Sequence, residues 1–425
     1  MIHPLPRPLR PFLLPIPLAL AAAGCAAAPE PDPAPAPAAD PATDLAAHLG
    51  DVRAPQFEPR SLDEALARLE DRGPWEDHAR PLAVPRHEAE KYLAGMVVVL
   101  DPGHGGKADV AGYKRGPTGV REAEMNLRVA HLLRKLLEGA GATVALTREG
   151  EVSEAADDRL PDTLRRRAEV ANRFPRPDGG IGADLFISLH HNASSSPDAN
   201  YPSVWFHGEA DWSEPALDAA KYVGHRLGAE LRCSGVGKTS VLMSDRQMYA
   251  TGFGVLRHAE VPAFLTESSF FTHPEEEQRL RDAAYNLREA YAIYLGLVEY
   301  AYGGRPTQST PQLTRADGEL TITTTLDEGL PAWWGHDRQR ILDSTIAVYV
   351  EGRRVLADFD PATKTLTARI PAALEVPAAG PFELRIHHAN LFKHHNWPQR
   401  YAVSFDADGA ASVRPLRSRH AGEDR

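Results

Sequence analysis

The chain has 425 residues, of which 43% are hydrophobic, 25% charged and 7% aromatic, with a formal net charge of -11. That length exceeds one typical domain and accommodates two or three globular units with linkers. The acidic balance argues against nucleic acid or an anionic lipid surface as the main partner, and the only cysteines, Cys25 and Cys233, imply no disulfide framework.

Residues 1–24 carry Arg7 and Arg10, then an apolar stretch from Pro11 to Ala23. The run is too short and too proline-rich to span a bilayer as a stable helix and reads as a secretory leader, so export is expected. Its ending, Ala22-Ala23-Gly24-Cys25, resembles the lipobox of bacterial lipoproteins, with Ala22 where leucine is usual. The resemblance implies lipidation of Cys25 and a membrane anchor. Residues 25–44 collapse to Ala, Pro, Asp and Glu, a semi-extended spacer that cannot bury a core. Within residues 45–95 the capping-box pattern Ser61-Leu62-Asp63-Glu64 predicts one helix, to which no function attaches.

Residues 96–303 read as the main domain. The β-branched run Val97 to Leu100 predicts a buried strand, ending at Asp101-Pro102 and opening into Gly103-His104-Gly105-Gly106. A helix follows, with Met125, Val129, Leu132, Leu133, Leu136 and Leu137 at helical spacing and Gly139 and Gly141 as its stop. Next come a strand at Thr143 to Thr147, a helix from Leu164 to Asn172, a strand at Asp184 to His190, a short strand at Val204 to Phe206 and a helix at about Glu214 to Leu231. A strand at Ala263 to Glu267 and one long helix from Pro274 to Tyr302 complete it. Strands alternating with amphipathic helices predict an α/β fold, a twisted, mostly parallel sheet flanked by helices.

Four residues fall where such a sheet gathers side chains. His104 sits on the first glycine-rich loop, Glu122 at the start of the first helix, and His190 and Glu267 at strand ends. Two imidazoles and a carboxylate with an open fourth position make a catalytic zinc site, beside which a second carboxylate takes and returns a proton. Strand alternation sends His190 and His191 to opposite sides. Glu124 is offset from Glu122 by about 200° around the helix and cannot face the same point.

These pieces, in order and with their flanks, resemble the zinc-dependent N-acetylmuramoyl-L-alanine amidases, bacterial cell-wall hydrolases. The match rests on Asp101-Pro-Gly-His-Gly-Gly106, Glu122 before Asn126-Leu127, Phe186-Ile-Ser-Leu-His190, and Leu265-Thr-Glu267 followed by Phe270 and Pro274-Glu-Glu-Glu277. The resemblance covers about residues 96 to 300 and implies one zinc per chain on His104, Glu122 and His190, with Glu267 as catalytic glutamate. It implies peptidoglycan as substrate, cut between muramic acid and the L-alanine of the stem peptide, and leaves room for a protein activator. Asn126 and Arg167 are expected to support the site. The chain departs from the family at Ser269 and His273, which stand where glycine and asparagine are usual, and at His191, where a small residue is usual. The connections Glu149 to Thr163 and Gly235 to Gly254 are longer than usual, and no inhibitory helix fits after the second histidine motif. A zinc peptidoglycan peptidase and a non-catalytic wall-binding or regulatory protein are the competing readings.

Other groups read more plainly. Glu275, Glu276 and Glu277 fit as first-turn charges favoured by the helix dipole. His387, His388, His394 and His395 resemble a second metal cluster but have no acidic partner at ligand spacing. Cys233 reads as a structural thiol, and Trp333, Trp334 and Trp397 as core residues ahead of a sugar platform. Beyond Gly304, short alternating segments predict a small all-β sandwich over residues 310–410: Leu320 to Leu326, Thr345 to Val350, Arg353 to Phe359, Thr365 to Ile370, Phe382 to His387 and Arg400 to Phe405. Residues 411–425 read as a charged, disordered tail.

Overall fold

The computed structural model describes residues 86–105, 114–150, 162–177, 179–208, 214–234, 241–316, 319–331, 335, 340–370, 374 and 381–416. The expected leader, Cys25, the spacer, the Ser61 helix, Trp333, Trp334 and most of the Glu149 to Thr163 connection lie outside them.

A six-stranded sheet organises the α/β domain, built from β1 (Val97–Pro102), β2 (Thr143–Leu146), β3 (Leu185–Asn192), β4 (Ser203–Phe206), β5 (Val241–Ser244) and β6 (Ala263–Phe270) in the order β2-β1-β3-β6-β4-β5. The first four strands in that order are parallel, while β4 runs antiparallel to β6 and carries β5 parallel to itself. Val97 to Leu100 are fully buried, as a strand covered on both faces requires. The helices are α1 (Glu122–Gly139), α2 (Thr163–Asn172), α3 (Glu214–Leu231), α4 (Gly254–Arg257), α5 (Pro274–Arg281) and α6 (Ala283–Tyr302). Val98, Leu100, Ile187 and Phe264 pack under α1, α3 and α6, and Val97, Val99, Phe186 and Leu265 pack against α2 and α4. Alternation along each strand thus feeds two cores.

The last helix differs from the expected single element. It breaks at Asp282, whose ψ of 120° is extended and whose carbonyl accepts the Tyr285 and Asn286 amides at 3.0 and 3.1 Å. Aspartate favours such a helix start over a helix interior. Residues ahead of the expected boundary also join the domain: a 3-10 turn, Glu88–Leu93, packs on α6 and buries Leu93.

The C-terminal region is a sandwich of two antiparallel sheets. One holds β10 (Ala347–Val350), β11 (Arg353–Val355), β14 (Phe382–His387), β15 (Arg400–Phe405) and β16 (Ala411–Leu416). The other holds β7 (Thr307–Gln308), β8 (Gln312–Ala316), β9 (Glu319–Asp327), β12 (Ala357–Asp360) and β13 (Thr365–Ile370). The segment read as one strand from Arg353 to Phe359 is two, β11 and β12, split between the sheets at the exposed Leu356. The expected tail corrects likewise, because residues 411–416 form β16 along β15, and β7 begins before residue 310. Ile322, Val348, Leu366, Leu384 and Val403 fill the space between the sheets.

The sandwich seats on α3 and α6 through its histidines. His394 is buried, stacks on Tyr300 with centroids 5.0 Å apart, and places its ring nitrogens 2.8 Å from the Gly304 carbonyl and 3.0 Å from the Tyr222 hydroxyl. His388 is buried too, and desolvation pushes it down to about 3, so it stays neutral. The absence of acidic partners read from the sequence is corrected here. Glu214 and Asp218, more than 170 residues upstream, arrive on α3 beside His387 and His395.

Candidate active site

β1 and β3 end side by side, and the loop after β1 brings His104 back over the sheet edge. His104 has φ +61°, a left-handed conformation that costs a non-glycine residue free energy. Its carbonyl is held by Arg167 Nη2 at 2.6 Å. Gly103 is required by close approach, because a Cβ there would sit 2.2 Å from the His190 ring.

Glu122, the first residue of α1, is buried at the meeting point of both imidazoles. Its Oε1 lies 3.1 Å from His104 Nε2 and 3.0 Å from His190 Nδ1, and also accepts the His191 backbone amide at 3.3 Å. Its Oε2 is buried with no hydrogen-bond partner. Lys114 Nζ comes to 3.9 Å from that oxygen. Burial would raise the Glu122 pKa, but His104 and then His190 outweigh it and hold it well below the ordinary carboxylate range. Burial lowers His190 despite the opposing pull of Glu122, so its neutral, lone-pair form is favoured. One carboxylate oxygen thus faces two ring nitrogens at separations close to the edges of a coordination tetrahedron. The donor set is the two-histidine, one-glutamate set of catalytic zinc sites, so these residues fit the ion.

Glu267 joins them from β6, in register with His190 on the adjacent parallel strand, which puts both side chains on one face. It is half-buried, and its Oε2 has no hydrogen-bond partner. Burial first, and repulsion from Glu122 second, push its carboxyl well above the ordinary range, with Lys114 offsetting some of the rise. A carboxyl raised in this way is suited to take up and return a proton.

Asn126 and Arg167, expected to support the site, both bond to the loop that carries His104. Asn126 donates to the Gly103 carbonyl at 3.2 Å, and its Oδ1 lies 2.8 Å from His191 Nδ1. Arg167 binds Asp101 Oδ1 at 2.8 Å and the Pro102 carbonyl at 3.0 Å, as well as His104. His191 turns away from the site, its Nε2 2.9 Å from Glu289.

Several positioning residues escaped the sequence reading. Asp101 is a buried hub that also accepts from Thr147 at 2.6 Å and Ser188 at 2.7 Å. Arg148, fully buried, clamps the Pro102, Gly103 and Ala123 carbonyls. Asp101 stood within the matched motif; Arg148 and Glu289 carried no local signal. All three carboxylates lie in the first turn of α5, as read, but only Glu275 is exposed. Glu277 is buried and accepts the Thr118 and Val120 amides, fixing the loop that leads into Glu122, while Glu276 is buried against Asn200, Arg279 and Tyr285. Cys233 is buried and its thiol is pushed up by desolvation, as a structural role requires.

The family model described as N-acetylmuramoyl-L-alanine amidase matches residues 98–299. Among curated relatives, the probable cell wall amidase LytH of Staphylococcus epidermidis is 28% identical over 209 residues, 49% of this chain and 59% of that protein. N-acetylmuramoyl-L-alanine amidase AmiA of Escherichia coli is 28% identical over 274 residues, 56% of this chain and 86% of its own length. The match thus spans under two thirds of the first of these relatives. Among solved structures, the amidase AmiC2 of Nostoc punctiforme is 27% identical with a TM-score of 0.38, covering 49% of this chain and 97% of that one.

Proposed function

With residues 98–299 belonging to the N-acetylmuramoyl-L-alanine amidase family, we propose that this chain is an exported peptidoglycan hydrolase that cuts the amide between N-acetylmuramic acid and the stem peptide's L-alanine. The observation that carries the proposal is the convergence of His104, Glu122 and His190 around one carboxylate oxygen, with Glu267 in register beside them. His104, Glu122 and His190 would hold one zinc ion, which when bound supplies Lewis acidity that polarises a carbonyl and acidifies water.

The chain's own groups supply the rest. Glu267, raised by its surroundings, accepts the proton of the attacking water as general base and delivers it to the leaving L-alanine nitrogen as general acid. Delivery to nitrogen makes the amine a competent leaving group, so the C–N bond breaks and a carboxylate remains on the lactyl group of the sugar. Arg167 and Arg148 tie down the carbonyls around His104, so the loop that presents the imidazole need not reorganise during the reaction. Export through the leader and anchoring through a lipidated Cys25 complete the proposal. No described helix is long and apolar enough to cross a membrane.

Mass spectrometry of fragments from purified peptidoglycan, with wild type, a Glu267→Ala variant and a chelated sample, tests this reading. Free stem peptides beginning at L-alanine, reduced at least about a hundredfold in the variant and abolished by chelation, are expected. Amino acids released while every peptide stays on its glycan would identify a peptidase instead.

A further inference from the structure

A second group of donor atoms lies where the sandwich meets α3. One ring nitrogen each from His387 and His395 and a carboxylate oxygen of Glu214 fall within 4.8 Å of one another. The three belong to different elements: Glu214 opens α3, His387 ends β14, and His395 lies in the connection to β15.

Their orientation is imposed by neighbours. His387 Nδ1 lies 2.8 Å from the Thr345 carbonyl, which only accepts, so that nitrogen carries the hydrogen and Nε2 is left with a lone pair in the neutral ring. His395 Nδ1 lies 2.8 Å from Asp218 Oδ2, and the His395 backbone amide donates to the same oxygen at 2.7 Å. Asp218 is buried, and its hydrogen bonds with His395 hold it ionised against the cost of burial. It therefore accepts, and His395 too presents Nε2 as its free lone pair. At 3.3 Å from His387 Nε2 stands Glu214 Oε2, so a lone pair faces a carboxylate oxygen. Such a contact is stable only with an electrophile, a proton or a metal ion, between the two. Gln399 donates to the same Oε2 at 2.7 Å and Arg385 approaches it at 3.4 Å, which orients the carboxylate and leaves Oε1 outside all three contacts.

We propose that Glu214, His387 and His395 form a second transition-metal site of the zinc type, which clasps the β sandwich to α3. Two imidazoles and one carboxylate suit zinc, and the 3.3 Å separation of His387 from Glu214 matches a tetrahedral edge around an ion with bonds of about 2.0–2.1 Å. Thr345 and Asp218 are the outer acceptors that fix ligand tautomers in such sites. Arg385 offsets some of the carboxylate's charge.

The test is metal stoichiometry of the full chain after chelator stripping and zinc titration, read by native mass spectrometry and calorimetry. Wild type is expected to bind two ions, and His190→Ala and Glu214→Gln one each. Glu214→Gln retains the side-chain shape and an oxygen for Gln399, so it separates loss of metal from loss of fold, which circular dichroism checks. Asp218→Asn is expected to weaken the second site about 10- to 100-fold without abolishing it. Cobalt loaded into His190→Ala is expected to give visible absorption that Glu214→Gln/His190→Ala lacks. A single ion in wild type and none in His190→Ala would overturn the second site and leave the first standing. A single ion in wild type that persists in His190→Ala and is lost in Glu214→Gln would support the second site and count against the first.

Discussion

His104 holds a left-handed backbone because Arg167, itself paired with buried Asp101, grips its carbonyl. Breaking a buried pair leaves an uncompensated charge, so Arg167→Ala should destabilise the chain by about 3–5 kcal/mol, measured by urea unfolding. Burial alone would raise the pKa of Asp101, but Arg167 and the Thr147 and Ser188 hydroxyls more than compensate and hold it low. A carboxyl depressed in the folded state contributes stability that is fully present above its unfolded pKa of about 3.9 and lost as pH falls through the folded value. The stability gap between wild type and Asp101→Asn should therefore be constant near neutrality and shrink below about pH 4. A gap unchanged down to about pH 2 would show that Asp101 acts by shape and not by charge.

At the scale of elements, spacing made most of the framework legible. β13, β14 and β15 coincide with their alternating patterns, and α1 and α3 follow their apolar stripes. What escaped depends on partners distant in sequence. β5 is four residues long and exists by pairing with β4, and Glu277 meets its donors across more than 150 residues of chain. The same distance hid Glu214 from His387. Of the site, His104, Glu122, His190 and Glu267 were readable through motif flanks, whereas Arg148 and Glu289 had no flank to mark them. Close approach between elements gives two further tests. A Cβ on Gly296 of α6 would lie 2.6 Å from the Val223 backbone of α3, so Gly296→Ala must push these packed helices apart and should cost about 1–3 kcal/mol in thermal unfolding. Gly103→Ala drives a Cβ into the His190 ring and should weaken zinc binding at the Glu122 site at least about tenfold in a folded chain, measured by competition with a chromophoric chelator.

For the whole molecule, the junction between the α/β domain and the sandwich is polar and buried. His394 lies between Tyr222, Tyr300 and Gly304, and Asn390 donates to the Gly303 and Glu328 carbonyls at 2.7 and 2.9 Å. Buried groups that satisfy one another across a junction couple the two sides, so calorimetry should show one unfolding transition. His394→Ala strands the Gly304 carbonyl and the Tyr222 hydroxyl and should lower stability by about 1–3 kcal/mol, with the transition broadening or splitting. The sandwich thereby holds a fixed relation to α3, the helix beside β4 and β6, while His104 and His190 follow or close the C-terminal ends of β1 and β3.

The central claim is the bond that is cut, and digestion of peptidoglycan in heavy-oxygen water locates it. The account predicts one labelled oxygen in the lactyl carboxylate of the glycan and an unlabelled peptide with a free amino group on L-alanine. Label in a peptide carboxylate, with the muramoyl amide intact, would contradict it.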